Sequence, residues 1–265
     1  MVCALLASCA FLRAVPPAPP APPQDTARGE LHAAQLMAAS LFARQAGKED
    51  MQKMDHIFAD LEVKYPNDVA IVNGRAEFLW ETEEHARAVE KWRAAEKLDP
   101  KFGPVLDHLA EVALGLGEVK KAADYFARAV HSTPNDAAYH FGYANVLFLF
   151  RHDLHDAGHP DSDSLIDESL KHFAEAARLE PLNADYARAF AETFYAIPKP
   201  DWNEALKAWR HLYDISTQKD FALLNLARVY LNLGNKPEAR ASLTEIQDPK
   251  FDRLKTRLRE RIESE

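Results

Sequence analysis

Cysteine is nearly missing. Of 265 residues only Cys3 and Cys9 carry a thiol, so from residue 10 onward no disulfide, cysteine zinc site or cysteine nucleophile is available. Glycine is scarce, nine in all, and no glycine-rich loop runs into Lys-Ser/Thr as phosphate binding requires. Neither His-Glu-x-x-His nor Gly-x-Ser-x-Gly occurs, and Gly115-Leu-Gly117 is only half a dinucleotide fingerprint and reads as a turn. An excess of basic residues is also lacking: the formal net charge of −9 argues against nonspecific attraction to nucleic acid or anionic lipid. No apolar run is long enough to span a bilayer, which takes about 20 residues; the longest, Met1 to Leu12, stops at Arg13. Beyond residue 27, alternating β-branched runs are too few for a sheet.

What is present divides the chain in three. Residues 1–13 have the length of the apolar core of an export signal. Within them Leu6-Ala7-Ser8-Cys9 resembles the lipobox of bacterial lipoproteins, which implies cleavage before Cys9 and its acylation; no Lys or Arg precedes the apolar run, a departure from that pattern. Residues 14–29 are rich in Pro and Ala and read as a disordered linker that populates extended polyproline II. Residues 30–265 form the folded body, with 47% hydrophobic and 28% charged residues in the whole chain supporting a real core. The expected location is the exported bacterial envelope, in the periplasm or anchored to a membrane through Cys9. The alternative is a cytoplasmic adaptor whose first 29 residues are a tail.

The body repeats. Pro66, Pro100 and Pro134 stand 34 residues apart, with Ala88, Trp92 and Ala95 before the second and Ala122, Phe126 and Ala129 before the third. The ending recurs at Phe173, Ala176 and Pro181, thirteen residues late, which places an insertion at 151–163. Ala205 with Trp209, and Leu226, Ala227, Tyr230, Gly234, Ala239 and Leu243, extend the pattern. Small residues let antiparallel helices approach, the large ones fill the gap to the next pair, and proline stops the second helix because it lacks an N–H. These residues resemble the tetratricopeptide-repeat (TPR) family. The resemblance implies an all-α, right-handed superhelical solenoid of about six TPR helix pairs with a C-terminal capping helix. In that cap Phe251, Leu254, Leu258 and Ile262 make one apolar stripe.

The family implies a non-enzymatic scaffold with no cofactor, whose partner is a protein or peptide segment held in the concave groove lined by the first helix of each pair. Carried over by register, the groove residues are Asn73, Glu77 and Trp80, then Asp107, His108 and Glu111, then Phe141, Asn145 and Phe148. Arg188, Glu192 and Tyr195, and finally Leu224, Asn225 and Arg228, continue the set. Acidic residues crowd its early part and Arg188 and Arg228 its late part, so a basic stretch of the partner is expected early and an acidic or C-terminal group late. Glu77 and Glu111 stand where chaperone-binding relatives carry asparagine-type residues, which disfavours that role. The insertion offers His152, His155 and His159 among aspartates, residue types that suit zinc, but Gly158 and Pro160 make it read as a loop. No metal site is assigned there, and a metal-dependent enzyme built on this insertion stands behind the scaffold and the cytoplasmic adaptor as a third alternative.

Overall fold

The computed structural model describes residues 24–264; Cys9, the lipobox and most of the linker lie outside them. Fourteen α-helices occur among the described residues, with no strand. Six antiparallel pairs stack in chain order: α1 (Gln24–Ala43) with α2 (Lys48–Lys64), α3 (Val69–Glu81) with α4 (His85–Leu98), and α5 (Gly103–Gly115) with α6 (Val119–Ser132). They continue as α7 (Ala137–Leu149) with α9 (Ser162–Leu179), α10 (Ala184–Thr193) with α11 (Trp202–Ile215), and α12 (Lys219–Asn232) with α13 (Lys236–Glu245). No helix among the described residues is long and apolar enough to cross a membrane.

The repeated proline is half of a stop-and-restart device. After Pro66 and Pro134 comes an Asp that caps the next helix: Asp68 Oδ1 accepts from the N–H groups of Ala70 and Ile71, and Asp136 Oδ1 from those of Ala138 and Tyr139. Asn183 and Asp201 do the same for α10 and α11. Within pairs the turn ends on a left-handed residue, supplied by Gly117 and Gly234 at φ 73° and 72°.

Each second helix buries a stripe spaced four and three: Ala88, Trp92 and Ala95 on α4, Ala122, Phe126 and Ala129 on α6, and Ala205, Trp209 and Leu212 on α11. On α9 the smallest position is Ser169, which satisfies its hydroxyl by donating to the Ile166 carbonyl. Facing this stripe, each first helix from α3 onward presents a fully buried alanine at the same place: Ala76, Ala110, Ala144, Ala191 and Ala227. Beside one of them the backbone comes so close to Phe126 that a Cβ at Gly142 would lie 2.4 Å from its ring.

Three sequence expectations change. Helix α1 starts at Gln24, so residues 24–29 belong to the first pair rather than the linker; Ala27 is buried and packs with Leu31 and Ala34 against α2 and α3. The insertion is not all loop: Arg151–Asp156 forms helix α8, pinned by buried Leu154 against α6, α7 and α9. Six residues carry too little periodicity to read as a helix. The cap α14 (Asp252–Ser264) packs on α12 and α13 through Ile262, with Phe251 buried in the turn just before it, while Leu254 of its stripe stays exposed.

Candidate protein-binding face

The buried alanines fix a register for the expected groove. Three residues before each stand Asn73, Asp107, Phe141, Arg188 and Leu224; one after stand Glu77, Glu111, Asn145, Glu192 and Arg228; four after stand Trp80, Phe148 and Tyr195. These offsets share one face of a helix, so the first helices present them together along the stack. His108 and Asn225, two before the alanine, lie off this stripe.

Three of the expected residues are buried and do not offer a contact surface. Asn73 is buried and held by its own pair: its Oδ1 accepts from Trp92 Nε1 at 3.1 Å and its amide donates to Glu77 Oε1 at 2.8 Å. Leu224 belongs to the last core cluster. Asn225 donates to the Phe221 carbonyl and accepts from Arg228, and so orients that arginine. Asn73 and Asn225 therefore position the exposed charges beside them.

The early part of the face is one connected network. Glu77 Oε1 also meets His108 Nε2 at 3.3 Å, and the His108 ring stacks on Trp92 with centroids 4.4 Å apart and planes inclined by 18°. Trp80 leans on both Trp92 and His85 and stays partly exposed. In the late part, Arg188 lies over the Phe221 ring at 4.7 Å and bonds Glu192, and Arg228 lies over Tyr195 at 4.1 Å. The equivalent of Trp92 here is Trp209. Its Nε1 is buried without an acceptor, because the residue in Asn73's place is Arg188, which can only donate.

Between these parts, at α5, α6, α7 and α10, is a hollow of about 350 Å³. Phe126, Phe141, Phe150 and Tyr186 line it together with Asp107 and Glu111. Phe141 packs on Tyr186 at 4.7 Å and on Phe173 at 5.7 Å. Burial, then the Glu111 and Asp136 charges, push the Asp107 carboxyl up to about 6, against an opposing pull from His108. Sequence reasoning missed Phe126, Phe150 and Tyr186 because they belong to other helices or other register positions. A larger cleft of about 980 Å³ lies near the α1–α2 and α3–α4 turns, but its Arg87 is already paired with Asp55 and Glu84.

A raised carboxyl is a liability to the fold. Ionising Asp107 is harder in the folded chain than in the unfolded one, so the penalty is full above pH 6, fades as pH falls toward 3.8, and is absent below. Asp107→Asn is therefore expected to stabilise the protein by about 1–2 kcal/mol at pH 7.5 and by nothing at pH 3.5. Denaturant melts of both chains at the two pH values decide it; equal stability at pH 7.5 would contradict the burial of charge.

Of the insertion's histidines, His152 Nδ1 lies 3.2 Å from the Ser162 hydroxyl. No group of three or more His, Cys, Asp or Glu among the described residues is placed to hold a metal.

Two family models, both described as tetratricopeptide repeat, match residues 109–151 and 221–248. The stack of antiparallel pairs extends the same unit across the described chain. The chain carries tetratricopeptide repeats and has the fold of a tetratricopeptide-repeat solenoid. No curated protein matches it by sequence. Among solved TPR structures it is similar to YrrB, titled a TPR protein with an unusual peptide-binding site, at TM-score 0.60 and 17% identity over 77% of this chain and 97% of that one. It is similar also to pilF of Pseudomonas aeruginosa, at TM-score 0.58 and 13% identity over 86% and 93% of the two chains. PilW, titled a widely conserved type IV pilus biogenesis factor, gives TM-score 0.54 and 14% identity over 86% and 98%. At these identities the likeness is one of fold.

Proposed function

We propose that this TPR protein is a non-enzymatic scaffold that holds a linear segment of a partner protein along its first-helix face, and that it serves as an assembly factor of the bacterial envelope anchored through an acylated Cys9. One observation carries the binding reading: the same three register positions place exposed aromatic and charged side chains along successive pairs, from Trp80 to Arg228. Aromatic and charged side chains in one line suit an extended segment, which meets them in succession. YrrB, a TPR protein with a peptide-binding site, and PilW, a type IV pilus biogenesis factor, agree in kind. The anchoring reading rests on Leu6-Ala7-Ser8-Cys9 and the proline-rich stretch after it.

Photo-crosslinking in the native host tests the binding. A benzophenone residue at Trp80, Glu192 or Arg228 is expected to capture a discrete partner, and one at Lys97 or Lys207 on the second helices to capture none. The reverse pattern would refute the groove. Anchoring is tested separately by membrane fractionation and intact mass of the protein made from its own locus. An acylated chain beginning at Cys9 is expected, whereas a soluble chain retaining Met1 to Ser8 would leave a cytoplasmic adaptor.

A further inference from the structure

We propose that the hollow between α5, α7 and α10 is a specificity pocket for a cationic side chain, arginine above all, projecting from the partner segment. The inference rests on the groove reading and adds the chemistry of its central contact.

The pocket has a floor and a rim of different kinds. Phe126, Phe141, Phe150 and Tyr186 supply apolar surface and ring faces, while Asp107 and Glu111, one helical turn apart on α5, supply two carboxylates on one side. Aromatic faces attract cations and stack well against a guanidinium. Paired carboxylates match the planar fork of arginine better than the compact ammonium of lysine.

These charges have not been neutralised by the protein itself. Other carboxylates of the face are engaged: Glu77 with Asn73 and His108, Glu192 with Arg188, and Asp136 with two backbone N–H groups of α7. Asp107 and Glu111 form no ion pair with a Lys or Arg among the described residues, although such pairs are frequent on the other helices. Burial and the neighbouring negative charges already raise the Asp107 carboxyl, and Tyr186 on the opposite wall is raised by burial and by a set of carboxylates that includes Asp107. An apolar pocket holding uncompensated negative charge is complementary to a cation with a hydrophobic stem. A neutral or acidic side chain would leave that charge unanswered.

The test is a resonance titration of the full chain with three blocked pentapeptides of alanine carrying arginine, lysine or citrulline at the centre. Citrulline keeps the shape of arginine without its charge. The arginine peptide is expected to shift the Asp107, Phe141 and Gly142 amides saturably, the lysine peptide to do so more weakly, and the citrulline peptide to bind at least tenfold more weakly than arginine. Asp107→Asn combined with Glu111→Gln is expected to abolish the arginine response while leaving the spectrum of α12 unchanged. Equal binding of arginine and citrulline, shifts confined to other helices, or an undiminished response in the double variant would each overturn the pocket. If cross-links still form at Glu192 and Arg228 in that event, the groove stands and only the cation pocket falls. Cross-links from Lys97 and Lys207 instead would remove the groove itself.

Discussion

Trp92→Ala is expected to cost about 3–5 kcal/mol, the usual range for emptying a large aromatic site in a core. The side chain is fully buried on α4, stacks on His108 of the next pair, and donates its N–H to Asn73 of its own pair. Its loss opens a cavity and also frees Asn73, so Glu77 loses an oriented partner and the early part of the first-helix face loosens with the core. Trp92→Phe separates the two effects. It keeps most of the ring but leaves Asn73 Oδ1 without a donor, which adds about 1–2 kcal/mol to the packing loss. Trp209→Phe is the control, since the Trp209 N–H has no acceptor to abandon. Urea denaturation followed by helical circular dichroism should show Trp92→Phe the more damaging of the two. If both cost the same, the Trp92–Asn73 bond contributes nothing.

Arg75→Ala is expected to cost about 2–3 kcal/mol. Arg75 on α3 reaches back to Asp55 and Glu62 of α2, at 2.8 Å each, and Arg87 and Lys91 of α4 approach the same two carboxylates at 2.7 and 2.6 Å. The cluster thus fastens three consecutive helices. Removing one partner of a largely buried pair leaves charge without compensation, typically a loss of about 3–5 kcal/mol, and the remaining Arg87 and Lys91 soften it here. Burial works against the ionised Asp55, but the hydrogen bonds from Arg75 and Arg87 outweigh it and hold its carboxyl below the ordinary range. That contribution is present above the ordinary carboxylate range and disappears as pH falls through the lowered value. The gap between wild type and Arg75→Ala should therefore narrow on acidification, as melts at pH 7 and pH 3 would show. A gap independent of pH would mean that packing, not charge, sets the loss.

The solenoid was legible because its code is local. Pro66 and Pro134 cannot continue a helix and the Asp two residues later starts the next one, so helix ends are set within a few residues. Alanines at fixed spacing announce where backbones approach. What was not legible depends on the neighbouring pair. Asn73, Leu224 and Asn225 occupy groove positions by register, yet the adjacent helices bury them. Nothing in their identity says how much of each position its neighbour covers. The hollow was hidden for a related reason, because Phe126 is a stripe residue of α6 and Tyr186 lies outside the register that picks out Arg188. The same geometry bears on variant choice: Glu77 is tied into the Asn73–Trp92 network, so reversing it disturbs the core, whereas Glu111 can be changed with little structural consequence.

All four tryptophans fall into two pairs, Trp80 with Trp92 at the early part of the face, and Trp202 with Trp209 beside Tyr195 at the late part. The protein accordingly carries two groups of tryptophan fluorophores, one in the early and one in the late part of its first-helix face. With Trp202 and Trp209 replaced by phenylalanine, which leaves the Asn73–Trp92 bond intact, the emission of Trp80 and Trp92 becomes a label-free record of when a ligand reaches the early part of the face.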